Sequence, residues 1–181
     1  MANINTLRGG REVMANLNKE ILLIKGRSLK GLILGAAIVR KDMEKTSPKT
    51  PVDYGNLKAS FFTVTARSVR VGRNPKFKSE VASKMSSDHS STISEIQGMV
   101  KAQSTGGNIM LMLGYSANYA MATHELLDMN LKPRWRYGPG PGKKRWYRPR
   151  VGAGPKWFEY SLKRNSKKIL QAIAVNAQIK G

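Results

Sequence analysis

From Met14 to Met43, apolar side chains return at every third or fourth position, occasionally the fifth: Met14, Leu17, Ile21, Ile24, Leu29, Leu32, Ala36, Val39 and Met43. That spacing keeps them near one face of a helix. The pattern predicts one long helix over roughly Ile4 to Lys45, close to a quarter of the chain. Any fold must find something to lie along it. Gly26, Gly31 and Gly35 each weaken such a helix by about 1 kcal/mol relative to alanine, so they mark either a bend or a close approach by another helix. Ser47-Pro48 ends the element, because the residue before a proline is pushed out of the helical region. Lys25, Arg27 and Lys30 interrupt the apolar stretch 21–39. Each would cost roughly 2.5–3.5 kcal/mol at a bilayer centre, so a buried amphipathic helix is expected and no membrane partner. The N-terminal residues show no signal-peptide core.

Strand signals follow. Phe61–Ala66 and Ser68–Gly72 are β-branched and aromatic, and Asn108–Gly114 is a short apolar run bounded by glycine. Residues 73–107 between them are Ser-rich and read as an insertion in a strand-to-strand connection. Within it a helix is expected near Thr92–Gln103, with Thr92 and Glu95 spaced as a capping box. After a short helical turn at 115–125 comes a Pro/Gly-rich segment, 131–156. Pro155 then opens a last helix whose core stripe is expected at Phe158, Leu162, Ile169 and Ile173. The order predicts one α+β domain over residues 1–181. Long N-terminal and C-terminal helices pack on a small antiparallel β-sheet, with an inserted segment at 73–107 and a long basic loop.

Lys and Arg number 32 against 11 Asp and Glu, for a net charge of +21. Residues 108–181 hold 11 of those net charges. An acidic partner is implied, nucleic acid or an acidic protein surface. There is no cysteine and only two histidines, which removes disulfides, thiol chemistry and thiolate metal sites. His124-Glu125 has the composition of an acid–base pair, but neighbours on a helix point about 100° apart. No nucleophile stands at a triad spacing, and no P-loop, dinucleotide or HExxH pattern occurs. The prolines of Gly138-Pro-Gly-Pro-Gly142 remove the amide donors that a phosphate cradle needs. No catalytic residue, metal or cofactor is expected. Asp53 reads as a helix cap, and Asp42 and Glu44, two apart, as solvated.

Nine cations and no acid lie between Leu131 and Lys156. They are Lys132, Arg134, Arg136, Lys143, Lys144, Arg145, Arg148, Arg150 and Lys156, with Trp135, Tyr137, Trp146 and Tyr147 interleaved. Three readings stay open: docking of Arg and aromatic anchors on an acidic protein ring, contact with nucleic-acid phosphates and bases, or a solvated loop.

Three blocks then resemble a known family. Thr50-Pro-Val-Asp-Tyr-Gly-Asn-Leu-Lys-Ala-Ser60 resembles the P-V-D-T-G-x-L-R-x-S box of the tail-component (neck or tail-completion) proteins of tailed bacteriophages, through Pro51, Asp53, Gly55, Leu57 and Ser60. Gly114-Tyr-Ser-Ala-Asn-Tyr119-Ala120 followed by Glu125 resembles that family's G-x-x-x-x-Y-A-x-x-x-E segment. Gly154-Pro155-Lys-Trp-Phe158 resembles its opening of the C-terminal helix. Tyr54 stands where the family has a small hydroxyl residue, and Leu126-Leu-Asp-Met replaces its F-G-T. The 131–156 loop is also longer and more basic. The resemblance implies a minor virion protein, made in the host cytoplasm and assembled as a ring in the neck. Its partners would be copies of itself, the portal, connector or head-closure proteins, and the tail terminator or tail tube, with double-stranded DNA passing through the lumen.

Overall fold

The computed structural model describes residues 9–52, 54–72, 74–126, 134–137, 144–147 and 150–178, the two segments 134–137 and 144–147 by their backbone. The expected long helix is α1, Gly10–Lys45, closed by the Thr46 amide bonding the Asp42 carbonyl at 2.8 Å. A one-turn helix α2 (Asn56–Ala59) leads into β1 (Phe61–Thr65) and β2 (Val69–Val71). Then come α3 (Ala82–Gln103), β3 (Leu111–Tyr115), α4 (Ala120–Glu125), β4 (Arg134–Tyr137), β5 (Lys144–Tyr147) and α5 (Trp157–Ala177).

The main sheet is antiparallel with order β2-β1-β3, and Phe61 lies opposite Tyr115 and Thr65 opposite Leu111. All five residues of the central strand β1 are buried. Side chains alternate faces along a strand, so burial on both sides requires two covering layers. On one face Phe61 joins Val39 and Met43 of α1, Leu57 of α2, Ala117, Ala120 of α4 and Trp157 of α5. On the other, Phe62 and Val64 pack with Ile93 of α3. The fold is α+β, with a long N-terminal helix and the C-terminal helix against a small antiparallel sheet.

Several expectations are corrected. The 73–107 insertion carries α3 over 22 residues and supplies the second covering layer. Thr92 therefore sits inside that helix, its hydroxyl donating to the Asp88 carbonyl at 2.8 Å, and makes no capping box. The C-terminal helix begins at Trp157 with Lys156 as its cap in the left-handed conformation, so Pro155 stands ahead of the helix. Its buried stripe is Trp157, Ser161 and Asn165, leading to the half-buried Ile169 and Ile173, whereas Leu162 is exposed. The reason is how closely α5 approaches α1. The Ser161 hydroxyl donates to the Val39 carbonyl at 3.1 Å, and Ile169 and Ile173 lie directly on Gly35 and Gly31. Small and polar residues make the seam, so an apolar scan places it one residue too late. Gly31 and Gly35 mark that approach, while Gly26 has nothing near it.

Candidate docking surfaces

The three family-like blocks converge in space. Leu57 from the first, Ala117 and Ala120 from the second and Trp157 from the third share one core cluster. Ser60, fully buried, donates its hydroxyl to the Leu57 carbonyl at 2.8 Å and accepts the Ser116 amide on its own carbonyl at 3.0 Å. This ties the first block to the second. Gly55 is the left-handed cap of α2, with φ 88° and no side-chain cap; Asp53, expected to cap it, lies outside the described residues. Gly114 lies under the Phe62 ring, where a Cβ would stand 3.1 Å away. Pro51 is buried, Tyr119 caps α4, and Phe158 is half-buried beside the main cluster.

His124 and Glu125 do meet, contrary to the helical-angle argument: Nδ1 of the ring lies 2.7 Å from the Glu125 carboxylate. Lys156 closes on the other oxygen of that carboxylate. Lys156 first and His124 second hold the Glu125 carboxyl below the usual carboxylate range. Nε2 of His124 is buried without a hydrogen-bond partner, and the ring lies edge-on to Trp157, 4.9 Å between centroids. A pocket of about 230 Å³ opens beside it, walled by Leu113, Tyr115, Met121, Trp157 and Phe158. Among the described residues no cluster of His, Asp and Glu could hold a metal ion. The Lys156–Glu125–His124 chain fastens the start of α5 to the end of α4.

Asp42 and Glu44 are not merely solvated. Asp42 receives two bonds from the Arg164 guanidinium, at 2.5 and 3.3 Å, across the α1–α5 seam. Glu44 pairs with Arg40 and with Lys58. His89, which nothing in the sequence marks as special, is 1% exposed. Its Nδ1 meets the Ser116 hydroxyl at 2.5 Å and its Nε2 the Gly72 carbonyl, and Phe77 stands edge-on to the ring. One imidazole thereby ties α3 to the ends of β2 and β3.

The basic segment is not a plain loop. Its strands β4 and β5 pair antiparallel, with Arg134 opposite Tyr147, Trp135 opposite Trp146, Arg136 opposite Arg145 and Tyr137 opposite Lys144. Opposed residues share a face and successive residues alternate. Positions 134, 136, 145 and 147 therefore share one face, three arginines and a tyrosine. Positions 135, 137, 144 and 146 share the other, which is aromatic but for Lys144. Lys132, Lys143 and Arg148 lie outside the described residues. Arg150 is corrected: its guanidinium donates to the carbonyls of Glu44 and Thr50, fastening residue 150 to the end of α1 and the residues just after it. Its clamp leaves the strand cations as the segment's described candidates for a partner.

A second basic surface lies at the free edge of the sheet. A groove of about 350 Å³ between α1 and the strands is lined by Arg40, Lys41, Arg70 and Glu44 over Phe61 and Val71. An adjoining one of about 380 Å³ adds Lys58 and Lys76. The Arg40 guanidinium sits 5.4 Å over the Phe61 ring, an arrangement that holds a cation at an apolar wall. Among the described residues no helix is long and apolar enough to cross a membrane.

No family model, no curated protein and no solved structure matches the chain.

Proposed function

We propose that the protein is a structural subunit of a tailed-phage neck, a ring-forming tail-completion protein that joins the head connector to the tail and does no chemistry of its own. The observation that carries this reading is the meeting of the three family-like blocks in one core around Trp157. Blocks spread over a hundred residues serve one architectural purpose there. The surfaces left over suit docking. The β4–β5 ribbon has a cationic and an aromatic face, the residue types that anchor protein interfaces. A two-stranded ribbon is marginal alone, so a neighbouring acidic ring that covers it also orders it. Ring closure calls for a heterologous interface, and the location is the virion.

The test is particle assembly in the absence of the protein. Separate full heads and finished tails are expected, and adding the purified chain restores joining. Joined particles formed without it would defeat the reading.

The arginine face of the ribbon favours one rival, a nucleic-acid-binding protein that grips phosphates. Such a protein loses roughly 10³-fold or more in affinity between 50 and 200 mM salt. A neck subunit joins particles whether or not free DNA is present.

A further inference from the structure

Strand β2 is one edge of the main sheet, paired only with β1. The groove of about 350 Å³ runs between it and α1, and the adjoining one of about 380 Å³ shares its Arg40, Phe61 and Val71. On the helix side Ile33, Ala37 and Lys41 step by four and form one row along α1. The row is apolar at one end and cationic at the other. The small side chains of Ala36 and Ala37 leave the space above the strands unfilled.

Charge selects what fits there. Five cations line the two grooves, with Glu44 as the one acid. Glu44 is taken by Arg40 and Lys58. That leaves Lys41, Arg70 and Lys76, all exposed, without a carboxylate partner among the described residues. The complement is an acidic occupant. A second copy does not supply it. The chain's 11 acids are scattered singly, and the two nearest in sequence, Asp42 and Glu44, are already paired within the fold. Arg70, at the centre of the β2 edge, also repels the same edge of another copy while attracting a strand that brings acids.

Nucleic acid is acidic too, but its phosphates answer only the cations. The apolar wall and floor would stay unused. The one aromatic ring there, Phe61, is 3% exposed and lies beneath the Arg40 guanidinium, closed to a stacking base. An extended peptide uses every feature. Laid beside β2 at about 4.8 Å, it bonds the free edge and turns alternate side chains towards α1.

We infer that the β2 edge and its groove bind, as an added strand, an extended segment of a different protein in which acidic and apolar side chains alternate. The inference does not rest on the neck reading; any partner with such a segment satisfies it.

The probe is a fluorescein-labelled peptide of alternating Glu and Val, followed by anisotropy on the nuclease-treated full chain. At about 150 mM salt, charges more than about 8 Å apart are largely screened, and saturable binding is still expected. Lys41→Glu/Arg70→Glu should weaken it about tenfold or more with an unchanged unfolding midpoint, since both side chains are exposed. A peptide of alternating Glu and Ser should bind more weakly than the Val peptide. Alternate amides of a strand point the same way, so methylating every Glu nitrogen or every Val nitrogen should abolish binding in one case only. No binding by the Glu and Val peptide, equal binding by the Ser peptide, the same result for both methylated forms, or full affinity in the charge-reversed variant would each overturn the inference. So would an equally charged oligonucleotide that loses as much affinity in that variant, which would assign the groove to phosphates.

Discussion

Gly31 lies directly against the backbone of Ile173: a Cβ at residue 31 would stand 2.7 Å from the Ile173 Cα and 3.0 Å from the Ala172 carbonyl oxygen. Backbone cannot swing aside as a side-chain tip can. Gly31→Ala should therefore open the α1–α5 seam and destabilise the protein by about 1–3 kcal/mol, outweighing the gain of up to about 1 kcal/mol in helix propensity. Gly26→Ala is the internal control. Nothing lies within 4 Å of its added methyl, so it should stabilise by up to about 1 kcal/mol. Urea unfolding midpoints for the two variants should move in opposite directions.

Asp42 is fastened across the same seam, and the fastening depends on pH. Burial alone raises its carboxyl, but bonds from Arg164, and then from Asn165, Thr46 and Ser161, outweigh burial and hold it below the ordinary value of 3.8. A carboxyl lowered in the folded state is protonated first in the unfolded chain. The stabilisation is therefore whole above about pH 4 and drains away as the pH falls through the lowered folded value. Asp42→Asn should cost about 1–2 kcal/mol near pH 6, the low end for bonds to a charged group because Arg164 is about a third exposed. The gap to wild type should shrink towards pH 2–3. Thermal midpoints of both proteins across that range decide it; a gap that is constant with pH would show that the ion pair contributes nothing.

These two seam contacts also mark where sequence reasoning succeeds and where it stops. The apolar period located α1, β-branched and aromatic runs located β1 and β2, and a short apolar run ending at glycine located β3, because these signals are local. Burial of Ser161 and Asn165 was not readable, since a scan for apolar residues passes over the small polar ones that let two backbones approach. His89 escaped for a related reason. An isolated histidine in a Ser-rich stretch carries no signal until the fold brings Gly72 and Ser116 to it. The basic segment read as a loop because prolines and glycines bracket two four-residue strands whose pairing is a property of register rather than of composition. Arg150 read as a partner contact because charge alone does not say which carbonyls a guanidinium will find.

His89 should matter to stability out of proportion to its anonymity in the sequence. The Gly72 carbonyl can only accept, so Nε2 carries the proton it donates there, while Nδ1 bonds the Ser116 hydroxyl. His89→Leu keeps much of the bulk but orphans a carbonyl, and should cost about 1–3 kcal/mol. Imidazole nitrogen shifts should report the Nε2–H form. An unprotonated Nε2 in the folded protein would contradict the bonding described.

Arg150 and the strand arginines have different work. The Arg150 bonds to the Glu44 and Thr50 carbonyls belong to the folded chain, so Arg150→Ala should lower stability by about 1–2 kcal/mol. Arg136 and Arg145 are opposed in the ribbon, and replacing both with alanine leaves the Arg150 bonds in place, so stability should stay within about 0.5 kcal/mol of wild type. If the ribbon docks on a neighbour, the Arg136→Ala/Arg145→Ala variant should nonetheless fail to restore head–tail joining at any ionic strength. A loss confined to salt-sensitive DNA binding, with joining intact, would instead assign the ribbon to nucleic acid. Unfolding curves and particle-joining assays on the same preparations distinguish these outcomes, because Arg150→Ala must move the first and the double variant only the second.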